Sequence, residues 1–196
     1  MKNEIERRYE LLNKDDVAIW LENHAKFLYS RHQIDTYYDN KNCSFIKDIN
    51  HIYDWLRIRE EENKFTLNYK HWLPEGELIR TYCEEYELEI SSPKEMKNIL
   101  KNIGFCKVTV VDKLRKCWLY NECEICIDSV KELGDYIEVE YQGKDGQEVN
   151  DILKKLDDVL KEVGADITNE DHEGHAIRLM RKNNLHLSAA DVQRSL

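Results

Sequence analysis

The stretch EIERRYE at residues 4–10 places Glu4, Glu6 and Arg8 two residues apart. Successive side chains of a strand point to opposite faces, so in a strand these would share one face. The spacing recurs along the chain. Arg57 and Arg59 lie in WLRIRE, Lys70 ends FTLNYK, and Glu85, Glu87 and Glu89 alternate through EYELEI. Lys113 and Arg115 share a face of VDKLRKCW, Asp128 follows in CIDSV, and Glu138 and Glu140 alternate in DYIEVEY. Carboxylate oxygens suit a hard divalent cation such as magnesium or manganese. Arginine and lysine suit phosphate oxygens. Acids and bases on common faces therefore suit a polyphosphate bridged by metal, the arrangement of phosphoryl and nucleotidyl chemistry. The plain alternative is that these faces are wet, as charged residues generally are.

The elements that must position these residues are mostly strands. Apolar residues occupy the opposite parity throughout, as with Leu56 and Ile58 in WLRIRE or Ile137, Val139 and Tyr141 in DYIEVEY. This is the patterning of an antiparallel sheet with one apolar and one polar face. The sheet either lies open, its ionic face in water, or closes into a barrel with an ionic lumen and apolar residues facing helices. Helical periodicity is clear in three places. Val17, Trp20, Leu21, Ala25 and Leu28 predict a helix over 15–28. Ser92, Pro93 and Glu95 form a capping box ahead of Met96, Ile99, Leu100 and Ile103, with Gly104 as a stop. Ile152, Leu153, Leu156, Val159, Leu160 and Val163 predict a helix over 147–163. A shorter helix is expected over 176–182 and a loose terminal turn in SAADVQRSL. Glu-x-Glu followed by a helix occurs at Glu4 and Glu6, at Glu87 and Glu89, and at Glu138 and Glu140, which reads as a loose strand–helix–strand duplication.

Composition narrows the function classes. The net charge of −10 argues against a nucleic-acid surface but leaves room for a local basic pocket. No stretch reaches the roughly 20 apolar residues of a membrane helix, and the N-terminus lacks a signal-peptide apolar region, so a cytoplasmic protein is expected. Two prolines, seven glycines and no Ser/Gly linker point to one domain. The six cysteines are scattered in a chain too large to need disulfide staples. The Cys123 and Cys126 sulfurs would point to opposite faces of a strand, and no second pair has zinc-site spacing, so no zinc site is expected there. HEGH at 172–175 is not the H-E-x-x-H pattern and is likewise not read as a metal site.

EIERRY resembles the E-x-E-x-K signature of the CYTH superfamily, the triphosphate tunnel metalloenzymes. QIDTYYD at 33–39, LRIR at 56–59, TLNYK at 66–70, EYELEI at 85–90, VDKLRKCWLY at 111–120 and CIDSVKELGDYIEVE at 126–140 resemble successive blocks of that family, in order. The resemblance runs from residue 3 to about 142, and HAIRLMRK resembles the family's C-terminal end. It implies an α+β fold, an eight-stranded antiparallel β-barrel tunnel with helices packed outside, over a single domain at 1–182 with a tail at 183–196. On matching positions it implies that Glu4, Glu6, Glu138, Glu140 and Asp128 bind Mg2+ or Mn2+. Arg8, Arg57, Arg59, Lys70, Lys113 and Arg115 would hold phosphates, with Asp128 and Lys70 acting at the reacting group. Glu85, Glu87 and Glu89 would share the acidic wall, Glu89 being the most solvated, and Tyr38 beside Asp39 either orients a loop at the tunnel mouth or packs. Arg8 stands where the family usually has lysine, which puts a lysine-specific contact in question.

The function implied is hydrolysis of a small-molecule triphosphate, inorganic tripolyphosphate or a nucleoside triphosphate. The alternative is a class IV adenylate cyclase making cyclic AMP and pyrophosphate, and a non-catalytic polyphosphate or nucleotide sensor is a further rival. No nucleic-acid or membrane partner is expected, and a homodimer is left open. Crowded carboxylates that await a cation would tolerate Glu6→Gln or Glu138→Gln without loss of metal-free stability; carboxylates in structural ion pairs would not.

Overall fold

A computed structural model of the chain describes residues 5–46, 49, 52–73, 82–143 and 147–183. Glu4 and the SAADVQRSL segment lie outside them. The elements run β1 (Glu6–Leu11), α1 (Lys14–His24), β2 (Lys26–Asn40), β3 (Asp54–Glu60), β4 (Phe65–Leu73) and β5 (Tyr82–Glu89). Then follow α2 (Pro93–Asn102), β6 (Phe105–Tyr120), β7 (Cys123–Val130), β8 (Gly134–Tyr141), α3 (Val149–Glu162), β9 (Ile167–Glu170) and α4 (His175–Lys182). The fold is α+β, antiparallel strands with helices, as the patterning predicts. The chain divides into two compact units. One combines Met1–His32 with Lys113–His172, the other Gln33–Asp112 with Glu173–Leu196.

In the first unit the strand order is β6-β7-β8-β1-β9. Its apolar face meets helices. Ile125, Ile127, Ile137 and Val139 pack with Val17 and Leu21 of α1 and with Ile152, Leu156, Val159 and Leu160 of α3. Leu156 is completely buried in this cluster. Leu156→Ala is expected to cost about 2–5 kcal/mol, the range for emptying a buried leucine site, read as a lower urea midpoint at unchanged slope. The two-residue turn Asn121–Glu122, both at positive φ, joins β6 to β7. Such a hairpin turn sets the register, and here it places Arg115 opposite Asp128 and Cys117 opposite Cys126.

In the second unit the order is β5-β4-β3-β2. Leu56 and Ile58 of β3 and Tyr38 of β2 pack with Leu100 and Met96 of α2 and with Phe65, Leu67 and Tyr69 of β4. A separate cluster joins Ile177 and Met180 of α4 to Ile46 and Ile52. Ser92 caps α2 as expected, the Glu95 amide donating to Ser92 Oγ at 3.2 Å.

Three features depart from expectation. The first helix stops at His24 rather than 28, because Ala25 is extended and the Phe27-Leu28-Tyr29 run joins β2. Phe27 packs edge-on against Trp118, a contact between strands. A ninth strand among the described residues, β9, pairs with β1, so the third Glu-x-Glu unit also continues helix to strand. Finally, Cys117 and Cys126 form a disulfide, where scattered free thiols were expected. They are nine residues apart in sequence, yet strand register makes them direct neighbours. Cys123 faces the apolar core, so the two sulfurs of CEIC do point to opposite faces. Among the described residues no helix is long and apolar enough to cross a membrane.

Candidate functional site

The charged faces are not simply wet. Lys113 is 5 % exposed, Asp128 1 % and Asp35 2 %. Buried charges of this kind persist only when paired, and each unit carries its own paired network.

In the first unit, register sorts the charged face into rows. Glu6 of β1 lies opposite Glu140 of β8, which lies opposite Glu124 of β7. The next row is Arg8, Glu138, Cys126 and Cys117, and the next Glu10, Tyr136, Asp128 and Arg115. Like charges directly opposed across strands repel, so the Glu6–Glu140–Glu124 row is a position where a cation is favoured. Beside it Glu138 is held by two bases. Arg8 donates to Glu138 Oε2 through Nε at 2.9 Å and Nη2 at 2.8 Å, and the same Nη2 donates to Glu6 Oε1 at 2.8 Å. Arg115 Nη2 lies 3.0 Å from Glu138 Oε1. Burial alone would raise the Glu138 pKa, but Arg115 and Arg8 outweigh it and hold the carboxyl well below the usual range. Burial works against the Arg8 charge as well, and Glu6 with Glu138 more than offsets it. Arginine's fork engages two carboxylates at once, which a lysine ammonium does less rigidly.

Asp128 is enclosed by bases. Its Oδ1 accepts from Arg115 Nε at 2.6 Å, and its Oδ2 accepts from Arg115 Nη2 at 2.7 Å and Lys113 Nζ at 2.8 Å. Both oxygens are thus engaged in orienting Lys113 and Arg115.

The second unit carries a network of its own, in which acids and bases again meet across neighbouring strands. Asp35 of β2 lies opposite Arg59 of β3. It accepts from Arg59 Nε and Nη2, both at 2.7 Å, and from Arg57 Nη1 at 3.2 Å. Two strands over, Lys70 Nζ lies 3.1 Å from Glu85 Oε2, and Asn68 Nδ2 donates to Glu85 Oε1 at 2.6 Å. Burial would raise the Glu85 pKa; Lys70 and Asn68 bring it down. Glu87 is 3.8 Å from Lys64, and Glu89 is exposed. Tyr38 packs in the apolar cluster, its phenol pushed up to about 12 by burial and then by Glu60. Asp39 is the residue that fixes the following loop, accepting from the Asn40 and Phe45 amides and the Ser44 hydroxyl.

The structure thus gathers Glu6, Arg8, Lys113, Arg115, Asp128, Glu138 and Glu140 on one face of the first unit, and Arg57, Arg59 and Lys70 on one face of the second. Sequence reasoning passed over Asp35 and Glu124. Asp35 stands inside the QIDTYYD block with Gln33 and Tyr37 two residues away on either side, and Glu124 follows Glu122 where the chain turns between strands, so neither extends a run of charge along a strand.

A relative from Methanocaldococcus jannaschii bearing the name "Putative adenylate cyclase MJ0240" is 29 % identical over 159 residues, 81 % of this chain and 87 % of its own. The PH1819 protein of Pyrococcus horikoshii OT3 has a similar structure at 25 % identity and a TM-score of 0.73, covering 91 % of this chain and 99 % of that one. HpAC1 from Hippeastrum, an adenylyl cyclase by name whose structure is described as revealing a dominant triphosphatase activity, shares the fold at 16 % identity and a TM-score of 0.62, covering 93 % and 96 %. The family model of the CYTH domain matches residues 2–173, nearly the whole span over which the strand blocks and both ionic networks lie, and the chain belongs to the CYTH domain family.

Proposed function

We propose that this protein is a divalent-metal-dependent triphosphatase acting on inorganic tripolyphosphate or a nucleoside triphosphate. The observation that carries the reading is the directly opposed carboxylate row Glu6–Glu140–Glu124, with Arg8 in the next row and Arg115 and Lys113 further along the same face. A module that merely bound an anion would have no use for opposed carboxylates. The donors are oxygens only, and Glu138 stays ionised, so the set fits Mg2+ or Mn2+. Glu6, Glu138 and Glu140 would hold the ion, with Glu4 added from the same strand parity. Bound there, the cation offsets charge on the phosphate oxygens.

The chain's own residues supply the rest. Arg8, Lys113 and Arg115 donate to phosphate oxygens, and in the second unit Arg57, Arg59 and Lys70 offer donors of the same kind. Asp128 keeps Lys113 and Arg115 in place, and Asp35 does the same for Arg57 and Arg59. Lys70, on the flexible four-carbon stem of a lysine, follows the reacting phosphoryl group. Water forms a bond to the terminal phosphorus, the bridging P–O bond breaks, and diphosphate or the nucleoside diphosphate leaves together with orthophosphate and a proton. Residues 1–182 form the functional domain in this reading, with 183–196 a tail.

The name of the Methanocaldococcus jannaschii relative favours a second reading, attack of the ribose 3′-hydroxyl on the alpha phosphorus to give cyclic AMP and pyrophosphate. The test is to incubate the protein with ATP, tripolyphosphate and thiamine triphosphate under magnesium or manganese and identify every product. Orthophosphate is expected in excess of any cyclic AMP, with tripolyphosphate a competent substrate. Cyclic AMP and pyrophosphate as main products would select the cyclase, and turnover undiminished by a chelator would remove both readings.

A further inference from the structure

The Cys117–Cys126 disulfide lies on the charged face, in the row of Arg8 and Glu138, not in the apolar core. The two residues are directly opposed with Cα atoms 4.2 Å apart, the close spacing of a non-hydrogen-bonded antiparallel pair. Both are buried, Cys117 completely. Glu124, two residues from Cys126 on the same face, completes a cluster. One donor atom each from Cys117, Glu124 and Cys126 lies within 4.8 Å of the others. The Cys126 sulfur is 3.5 Å from Glu124 Oε1. A tetrahedral zinc ion at about 2.3 Å from sulfur and about 2.0 Å from oxygen would set those two ligand atoms roughly 3.5 Å apart. The carboxylate is also oriented from behind, the Tyr29 hydroxyl donating to Glu124 Oε1 at 3.1 Å, as outer partners of metal ligands commonly do. Arg115, two residues from Cys117 on the same strand face, supplies positive charge beside the sulfurs, which favours thiolates.

We infer that reduction of this disulfide opens a second cation site, with Cys117, Cys126 and Glu124 as ligands for a thiophilic divalent ion of the zinc class. The inference does not depend on the triphosphatase reading. A dithiol supplies two electrons and two protons, becoming a disulfide itself while the Cys117–Cys126 bond breaks into two thiols. Cation binding then releases both thiol protons to solvent. The site shares Glu124 with the carboxylate row, and its two sulfurs give it a preference for softer ions than oxygens alone would take.

The test is spectroscopic. Protein reduced with a phosphine and desalted without air is titrated with Co2+, then with Zn2+. The expected result is a sulfur-to-cobalt charge-transfer band saturating at one equivalent and erased by Zn2+, absent from the oxidised protein. Cys126→Ser should abolish the band, and Glu124→Gln should weaken Co2+ binding at least tenfold. Cys43, Cys83, Cys106 and Cys123 lie outside the disulfide, so a band of parental intensity in Cys126→Ser would belong to them and overturn the site. No band in the reduced parent, or parental affinity in Glu124→Gln, would overturn it too. Were Cys126→Ser to lose its fold, Glu124→Gln, altered at a half-buried side chain, still decides the matter.

Discussion

Glu138→Gln is expected to destabilise the metal-free protein by about 3–5 kcal/mol, the cost of removing one partner from a buried ionic network. Glu6→Gln is expected to cost about 1 kcal/mol or less. The difference comes from what each carboxylate holds. Glu138 is 9 % exposed and bridges Arg8 and Arg115. The Glu6 side chain is 26 % exposed and accepts from Arg8. From the sequence, carboxylates awaiting a cation would tolerate replacement and carboxylates in ion pairs would not; the pairing of Glu138 with both Arg8 and Arg115 puts it under the second expectation. Unfolding by urea in a chelator measures both. The pH dependence follows from the depressed Glu138 carboxyl. Unfolded, a glutamate titrates near about 4.3, so this stabilisation is complete above that pH and fades as pH falls below it toward the folded value. The stability gap between parent and Glu138→Gln should therefore narrow on acidification below about pH 4. A gap that is absent at neutral pH would show that Glu138 is not the keystone of the two bases. Both variants should also lose activation by magnesium or manganese; Glu6→Gln with parental metal dependence would remove Glu6 from the ligand set.

Asp35→Asn should produce a loss of comparable size in the second unit, about 3–5 kcal/mol, since it leaves two half-buried guanidinium groups without their shared counter-charge. Burial works against the Arg57 charge, and Asp35 is the main group that restores it. The kinetic signature separates positioning from chemistry. With the Arg57 and Arg59 forks no longer fixed, KM for tripolyphosphate should rise about tenfold, ~1.4 kcal/mol of binding, while kcat changes less. Asp35→Glu, which keeps the charge, should recover part of both losses. Parental stability together with parental KM in Asp35→Asn would show that the clamp on Arg57 and Arg59 does not depend on this carboxylate.

Much of the site is legible in the one-dimensional pattern because strand parity is local. Glu6 and Arg8, Lys113 and Arg115, and Glu138 and Glu140 declare their shared faces by a two-residue spacing that needs no knowledge of the fold. The Ser92 cap and the stripe through Ile152, Leu156, Val159 and Leu160 are equally local, and both appear where expected. The end of the first helix was not, because Ala25 and Leu28 continue the helical stripe in the sequence while the packing of Phe27 on Trp118 draws that segment into a strand.

Which strand lies beside which, and at what offset, is decided only in three dimensions. Parity says that Asp128 and Arg115 each have a charged face, but the Asn121–Glu122 turn is what brings them opposite one another, and with them Cys117 and Cys126. Asp35 carries no distinguishing neighbour in QIDTYYD, and becomes the acceptor for Arg57 and Arg59 only through the β2–β3 register. Burial follows the same rule. The sequence alone determined that acids and bases alternate against apolar residues along the strands, since side-chain direction depends on adjacent peptide units. Only the tertiary structure decided that these charges are shielded and paired rather than solvated, because pairing and loss of water depend on residues far apart in the chain.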